Sequence, residues 1–383
     1  MIKSFSAVTR EIDDVEVAVA EIKAALNLEK NLLKNSLGIV SCFSEFAETG
    51  ALKAICEALP FDCVGATSCL CSTSEEVDQI IFTITVLTSD DCVFKTTLIP
   101  ITEEEYKNSV ASELSGLFEK ACEKPKLFLS FFPLINTVSG DMILAEIEKA
   151  TGGIPLFGTV AVDHHLDYKT AMTIFNGEAY REAVVLAAIY GNPKFSFELA
   201  SLNEDKIRKQ KGIITASNGN ILIGVNGKAV LEYLEEIGMT KEDLSSGLGL
   251  IPLVVEYKGS TKPVARAVFA VTPEGYAVCG GEMPVGATVV IGRVDANDVL
   301  STTGKVMTSF IEKDTTILTY SCLARYLALG ANNYAEAEKV SEISGDNHYQ
   351  FASSGGEICP LPNDKGGLTN FFHNFTIILC KLS

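Results

Sequence analysis

The sequence LFLSFF at residues 127–132 and the sequence LFGTVAV at residues 156–162 frame the part of this chain that decides its fold. Both are apolar runs of strand length, and residues 140–150 between them have the apolar spacing of an amphipathic helix. Further apolar strands are predicted at residues 94–100 and 183–190. Strands that alternate with helices on this scale predict an α/β fold.

The same order of elements occurs three times along the chain. The strands that correspond to the two sequences above are GIVSCF at residues 38–43, ILTYSC at residues 317–322, VGATSC at residues 64–69 and FASSGGE at residues 351–357. Each copy is predicted to be one βαβαββ unit, and the copies cover residues 4–87, 94–190 and 288–382. Repetition of this kind indicates that one architecture has been multiplied within the chain.

The third copy is separated from the others by a divergent segment at about residues 195–287. Its first strand is predicted at residues 288–294. Gly191-Asn192-Pro193 interrupts an apolar strand and precedes a charged connector, which places a domain boundary near residue 200. The prediction is therefore an α/β protein with mixed β-sheets flanked by helices, built from about three repeated βαβαββ units in two domains, residues 1–200 and 201–383.

Composition and charge exclude several classes of protein. Of the 383 residues, 47% are hydrophobic and 21% are charged, which is typical of a globular chain. The formal net charge of -18 argues against binding to duplex nucleic acid, because its phosphates would be repelled. No apolar run is long enough to span a membrane, and the first residues lack the apolar core of a signal peptide.

The cysteines indicate a reducing compartment. There are eleven, an odd number, and several lie within apolar strand patterns, among them Cys42, Cys63, Cys279 and Cys380. Reduced cysteine behaves in this way in cytosolic cores, as a small hydrophobic residue. We therefore expect a cytoplasmic protein with free thiols.

Familiar catalytic and metal-binding signatures are absent from the sequence. There is no GxSxG, no P-loop, no HExxH and no GxGxxG between a strand and a helix. Cys69 and Cys71 lack a second pair at zinc-site spacing, so no metal is expected. His164 and His165 lie in a turn with Asp163, and they are candidates for a metal or an axial haem ligand, although a polar turn explains them equally well.

The third copy carries the charged residues that a site requires. Cys322 and Arg325 follow a strand, at the edge where α/β sheets bind ligands. Gly355 and Gly356 give room for a close approach, and Glu357 interrupts an apolar strand. Because an unpaired charge within such a strand is costly, Glu357, Arg325 and Arg266 form either a structural ion pair or the contacts of a small polar ligand.

The chain resembles the FIST family, sensory modules with a FIST-N and a FIST-C half. The motifs that carry this resemblance are Val64-Gly65-Ala66-Thr67, Pro155-Leu156-Phe157-Gly158, Asn226-Gly227-Lys228-Ala229, Val264-Ala265-Arg266, Glu282-Met283-Pro284-Val285-Gly286, Ser321-Cys322-Leu323-Ala324-Arg325, Gly356-Glu357-Ile358 and His373-Asn374-Phe375-Thr376. They appear in family order from about residue 35 onward. The chain departs from the family at Gly355, where many relatives have an aromatic residue.

The resemblance implies a stand-alone cytosolic sensor for a small polar metabolite such as an amino acid. Its signalling partner would be a histidine kinase, a chemoreceptor or a cyclic-dinucleotide enzyme. We expect the ligand in a cleft of the C-terminal half that Asp163 closes, and the other residues expected to line it are Arg266, Cys322, Arg325, Gly355, Gly356, Glu357, His373 and Asn374. Two alternatives stay open, a haem-binding nitric oxide sensor and an enzyme with Cys322 or Cys359 as its nucleophile.

Overall fold

The computed structural model describes residues 1–119, 123–135, 137–238, 251–257 and 262–383. The first unit contains two long strands, a helix on either side of the second strand, and a short hairpin before the returning strand. Its elements are β1 Lys3–Thr9, α1 Val15–Leu26, α2 Leu28–Asn31, β2 Asn35–Cys42, α3 Glu45–Glu48, α4 Ala51–Glu57, β3 Cys63–Thr67, β4 Cys71–Thr73, β5 Val77–Asp78 and β6 Phe82–Ser89.

The second unit repeats this order. Its elements are β7 Val93–Pro100, α5 Tyr106–Glu119, β8 Leu127–Phe132, α6 Gly140–Thr151, β9 Leu156–Val160, β10 Thr173–Phe175, β11 Glu178–Tyr180 and β12 Ala183–Tyr190. Ser139 starts α6 because its side chain accepts a hydrogen bond from the Met142 N–H, and Gly152 ends it with a positive φ of 75°.

The third unit begins with β13, Phe195–Ala200, and the chain then leaves it to form a separate sheet. The elements of this inserted segment are β14 Gly212–Asn218, β15 Ile221–Val225, β16 Lys228–Ala229, α7 Val230–Glu236, β17 Leu253–Glu256, β18 Val264–Arg266, β19 Val268–Val271, β20 Ala277–Cys279 and β21 Thr288–Ile291. The chain completes the third unit with α8 Ala296–Phe310, β22 Thr316–Cys322, α9 Leu323–Ala328, α10 Ala335–Ser344, β23 Tyr349–Ser354, β24 Glu357–Pro362, β25 Leu368–His373 and β26 Ile377–Leu382.

The three units share one strand order. Their sheets contain the orders β1-β6-β2-β3, β7-β12-β8-β9 and β13-β26-β22-β23. In each, the two strands on either side of the second helix, such as β8 and β9, run parallel, and the returning strand pairs antiparallel with both of its neighbours. The predicted fold class, mixed β-sheets flanked by helices, is confirmed.

One predicted strand belongs to a different sheet. Residues 288–294 were expected to open the third unit, but β21 pairs with β14 and β17 in the sheet of the inserted segment. The first strand of the third unit is β13, which pairs antiparallel with β26. The inserted segment therefore lies inside the third unit, between β13 and α8, and not before it.

Each of the three unit sheets also receives a hairpin from another unit. The hairpin β10–β11 joins β3, the hairpin β4–β5 joins β23, and the hairpin β24–β25 joins β9. The inner faces of the three sheets share one apolar core, which includes Ile39, Phe157 and Tyr320. Their outer faces pack on the helices, as in the cluster that α5 and α6 form with β8 and β12.

Candidate functional site

The carboxyl ends of β3, β9 and β23 meet at one place in the molecule. The Val162 N–H donates to the Thr67 carbonyl over 3.2 Å, and the Gly355 N–H donates to the Val160 carbonyl over 2.9 Å. The Ser353 N–H donates to the Leu70 carbonyl over 3.0 Å. We call this junction the strand-end site, because the ends of strands are where α/β sheets commonly bind ligands.

Glu357 is a buried carboxyl group at this junction, directly opposite His373 in the β24–β25 pair. Its side chain has no exposed surface. The Thr376 hydroxyl donates to Oε2 over 2.6 Å, whereas Oε1 has no hydrogen-bond partner among the described residues. Burial raises the pKa of Glu357 to about 8, although the Thr376 hydroxyl and, to a smaller extent, the Ser354 and Cys322 side chains oppose the shift by interacting with the carboxylate. The group is therefore mostly protonated at neutral pH.

Asn374 lies with Thr376 in the turn between β25 and β26, and it supplies an unsatisfied hydrogen-bond donor. It is fully buried, and its Oδ1 accepts a hydrogen bond from the Ala267 N–H over 3.3 Å. Its Nδ2 has no hydrogen-bond partner within the part of the chain that the structure describes. The next residue, Phe375, has a φ of 57°, which is strained for an aromatic residue. Unsatisfied buried groups and strained backbone are both characteristic of functional sites.

A loop that starts at Asp163 covers the strand end. The buried Asp163 carboxylate accepts hydrogen bonds from the Tyr168 N–H over 3.3 Å, the Thr170 N–H over 2.8 Å and the Thr170 hydroxyl over 3.1 Å. Leu166 and Tyr168 have positive φ angles of 61° and 62°. Asp163 thus fixes the loop by binding its backbone, and it makes no ion pair with a described residue.

The room beside the two glycines is occupied by aromatic rings. A Cβ atom on Gly355 would lie 2.8 Å from Cε1 of Tyr168, and one on Gly356 would lie 2.4 Å from Cζ of Phe372. The absence of side chains at these positions therefore lets Tyr168 and Phe372 close on the strand end. A ligand can use this space only after Tyr168 has moved.

Arg325 lies away from Glu357 and pairs with Glu336 of α10. Its Nη2 is 2.7 Å and its Nε is 3.0 Å from Oε1 of Glu336. The same guanidinium donates to the Thr302 and Thr303 hydroxyls and to the carbonyls of Val299 and Ser201. This buried network joins α8, α9 and α10, so its geometry is that of a structural ion pair.

Arg266 forms a second buried network between the inserted segment and the second unit. Its Nη2 is 3.3 Å from Oδ1 of Asp141, at the start of α6, and its Nε donates to the Tyr257 hydroxyl over 2.8 Å. Its Nη1 donates to the Phe372 carbonyl. Arg266 thus holds the backbone immediately before His373 and Asn374, and it supports the strand-end site without reaching Glu357.

The environments of Cys322 and Cys359 do not suit a nucleophile. Both thiols are buried, and burial raises the pKa of each well above its ordinary value. A catalytic cysteine requires the opposite shift, because the thiolate is the reactive form. His373 is buried and neutral, since burial lowers its pKa to about 3, and its Nε2 lies 2.9 Å from the Cys359 carbonyl.

The paired histidines lie beside unit one. The His164 ring is 4.4 Å from the Phe43 ring and 3.8 Å from the His165 ring, and its Nδ1 is 3.4 Å from the Ser44 hydroxyl. His165 is exposed. An axial haem ligand needs an imidazole nitrogen that faces an enclosed apolar pocket, so this pair does not fit haem. Among the described residues, no three His, Cys, Asp or Glu side chains lie together as a metal site.

Several residues that contact the predicted site residues were not singled out as site residues by the sequence. Thr376 is bonded to Glu357, Tyr168 closes the strand end, and Asp141 and Glu336 are the partners of the two arginines. Tyr168 lies shortly after Asp163 in the sequence, and Thr376 lies shortly after Asn374. This proximity to predicted site residues could have indicated both of them. Asp141 and Glu336 lie in helices whose acidic residues look solvent-facing.

Two family models match the sequence of this chain. The FIST N domain matches residues 36–228, and the FIST C domain matches residues 229–360. Among curated proteins there is no significant match. One similar solved structure is cyanuric acid hydrolase from A. caulinodans, with 8% identity, 99% of this chain and 98% of that chain covered, and a TM-score of 0.38.

No helix among the described residues is long and apolar enough to cross a bilayer.

The two family matches together cover residues 36–360, which is most of the sequence. Domains of this kind are associated with the sensing of small ligands in signal transduction. The chain belongs to the FIST family and contains both of its halves, FIST-N and FIST-C.

Proposed function

We propose that this protein is a cytoplasmic sensor that binds a small polar metabolite, such as an amino acid, at the strand-end site. The observation that carries the proposal is the pair of unsatisfied groups, Glu357 Oε1 and Asn374 Nδ2. The ionised Glu357 carboxyl group offers an acceptor, the Asn374 amide offers a donor, and both side chains are buried. A buried polar group without a partner costs about 1–3 kcal/mol, so a ligand that satisfies both groups gains affinity.

An amino acid has the matching chemistry. Its ammonium group would donate to the Glu357 carboxylate, and its carboxylate would accept from the Asn374 amide. Entry requires Tyr168 to leave Gly355, because Glu357 has no exposed surface. The strained backbone at Leu166 and Tyr168 favours such a movement, since the strain is relieved when the loop opens.

Two further parts of the proposal concern the location of the protein and its signalling partner. Cytoplasmic location agrees with the free, buried state of the ten described cysteines, while Cys122 lies outside the described residues. A histidine kinase, a chemoreceptor or a cyclic-dinucleotide enzyme is proposed as the signalling partner on the family resemblance alone.

Calorimetry with the twenty common amino acids tests the proposal. At least one should bind the purified protein. Above pH 8, where the Glu357 carboxyl group is mostly ionised in the free protein, Glu357→Gln should weaken this binding roughly tenfold to a hundredfold, because a hydrogen bond to a charged group is worth about 1.5–3 kcal/mol. Asn374→Leu should also weaken binding. Glu342→Gln is the matched control, since Glu342 is exposed on α10.

The pH dependence sharpens this test. An ammonium group binds the ionised form of Glu357, whose pKa in the free protein is about 8. Affinity should therefore rise by up to tenfold per pH unit from pH 6 to pH 8 in the wild type and stay level in Glu357→Gln. If no amino acid binds, or if binding is the same in Glu357→Gln, the proposed ligand class is wrong. A Soret band in the purified protein would instead favour haem.

A further inference from the structure

The edge strand β13 has backbone groups that its own sheet does not use. Lys194 and Ser383 exchange two backbone hydrogen bonds, of 3.3 Å and 3.0 Å, beyond the end of the β13–β26 pair. In an antiparallel ladder such pairs alternate with pairs that exchange no hydrogen bonds, so the odd-numbered residues of β13 turn both of their backbone groups away from β26. Leu199 is one of these residues, and Ser201 continues the alternation past the end of the strand.

Two of the outward groups are already bonded. The Leu199 N–H donates to Oε1 of Glu198 over 3.1 Å, and the Ser201 carbonyl accepts from Arg325 Nη1 over 3.3 Å. The Leu199 carbonyl and the Ser201 N–H have no hydrogen-bond partner in the described ranges. The Ser201 hydroxyl oxygen is buried and also lacks a described partner. Three unsatisfied groups thus lie within three residues of one strand end.

These groups line a cleft of about 840 Å³. The cleft separates the third unit from the inserted segment, which contributes Val254, Pro263 and Ala265 to the opposite wall. Helix α8 contributes Thr302 and Val306. The cleft is therefore lined largely by aliphatic side chains, with an unpaired strand edge along one side.

Acidic side chains lie at one end of the cleft. Glu204 and Asp205 are exposed, and neither makes an ion pair with a described residue. Lys262 forms an ion pair with Glu198, whereas Lys305 bonds the neutral Asn203 amide and keeps its positive charge. The carboxylates of Glu204 and Asp205 against the ammonium group of Lys305 leave the cleft lining with a net charge of -1, of the same sign as the net charge of -18 for the whole chain.

We propose that this cleft is the docking site for an extended, basic peptide segment of a partner protein, which adds to β13 as a strand. In a parallel ladder, one residue of the added strand donates to the carbonyl of one residue and accepts from the N–H two residues further on. The Leu199 carbonyl and the Ser201 N–H have this spacing. The added strand therefore runs parallel to β13, and its Lys or Arg side chains reach Glu204 and Asp205.

This inference goes beyond the proposed function and does not depend on it, because the cleft shares no residue with the strand-end site. It is tested with a fluorescein-labelled, acetylated and amidated seven-residue peptide in which valine alternates with lysine. Fluorescence anisotropy should detect binding to the full chain. Hydrogen exchange should show that the Ser201 amide becomes protected in the complex.

Changes to the protein and to the peptide test the backbone hydrogen bonds between β13 and the added strand. Ser201→Pro removes the N–H and should weaken binding about threefold to tenfold, whereas Ser201→Ala keeps the N–H and should bind normally. If Ser201→Pro fails to fold, N-methylation of the peptide tests the same ladder. N-methylation of the peptide residues whose N–H groups face β13 should weaken binding to the same extent. N-methylation of the alternate residues, whose N–H groups face away from β13, should leave binding unchanged.

The charge prediction has its own control. Glu204→Lys with Asp205→Lys should abolish most of the binding, and Glu103→Lys with Glu104→Lys, an exposed acidic pair in the second unit, should not. Absence of binding by the wild type would overturn the proposal. Binding without protection of the Ser201 amide, or equal effects of both N-methylated sets, would show that the peptide does not add as a strand.

Discussion

The carboxyl group of Glu357 makes the stability of this protein depend on pH. Its pKa rises from an ordinary value of 4.5 to about 8 on burial, so between these values the native state holds a proton that the unfolded state has released. The free energy of unfolding should therefore fall by about 1 kcal/mol per pH unit from pH 5 to pH 8 through this group alone.

Glu357→Gln removes this dependence and keeps the hydrogen bond to Thr376. The difference in unfolding free energy between the variant and the wild type should grow in favour of the variant as the pH rises from 5 to 8. Urea unfolding at four pH values measures it, and the opposite contribution of His373 cancels because both proteins contain it. A constant difference would mean that Glu357 is ionised in the native state throughout.

Arg325 and Glu336 should behave as a scaffold. Both are buried and bonded to each other, so Arg325→Ala leaves an uncompensated carboxylate and should destabilise the protein by about 3–5 kcal/mol. Glu75→Ala, at an exposed position, is the control and should cost less than 1 kcal/mol. If Arg325→Ala unfolds at the same urea concentration as the wild type, the pair is not structural.

At the residue scale, the sequence indicated which charges are buried but not which charges pair. Arg266 and Glu357 stand out because they interrupt apolar strands, Arg325 stands out because it follows one, and all three are buried. The partners of the two arginines lie in helices, where an acidic residue at almost any position is compatible with exposure. Pairing depends on which helix packs on which strand, and that information is not local to the sequence.

Two strand glycines set the separation of neighbouring strands. A Cβ atom on Gly65 would lie 2.0 Å from the Val40 carbonyl oxygen, and one on Gly158 would lie 1.8 Å from the Ser130 carbonyl oxygen. Both glycines face the parallel partner strand of their own unit, β2 or β8. Close approach of the two backbones explains why glycine stands there.

Alanine at either glycine should therefore force the strands apart. Gly65→Ala and Gly158→Ala should each destabilise the protein by about 1–3 kcal/mol, the usual cost of overpacking. Gly116→Ala is the control, because this helical glycine has no neighbour within 4 Å, and the change should stabilise by about 0.5–1 kcal/mol. Thermal unfolding of the three variants tests whether Gly65→Ala and Gly158→Ala melt below Gly116→Ala. Equal melting temperatures would contradict this prediction.

At the element scale, local pattern located most of the long strands, misassigned residues 288–294, and merged the end of β23 with the start of β24 into one strand at residues 351–357. Residues 288–294 precede a helix directly, as the first strand does in the other units, and the pattern therefore placed them in the third unit. The strand that occupies this position, β13, is separated from α8 by the whole inserted segment. An interruption of that length removes the sequence adjacency on which pattern recognition depends.

At the scale of the whole molecule, the exchanged hairpins bind the three units into one structure. The predicted boundary at residue 200 separates β4 from β23, β9 from β24 and β13 from β26, although the members of each pair belong to one sheet. Sequence repetition indicated the units but not this exchange, because β4, β5, β10 and β11 are only two or three residues long and the pattern did not separate β24 from β23. Pairing between units is a long-range property of the folded chain.

This exchange predicts how the chain unfolds. Residues 1–200 expressed alone would expose the edge of β9 that β24 covers, and would leave the hairpin β4–β5 without β23. The fragment should therefore show no cooperative thermal transition, whereas the full chain should unfold with one transition of its three-sheet core. Circular dichroism and calorimetry on both proteins measure this. A fragment that melts cooperatively near the temperature of the full chain would show that the first two units are stable without the third, and that the hairpins contribute little to their stability.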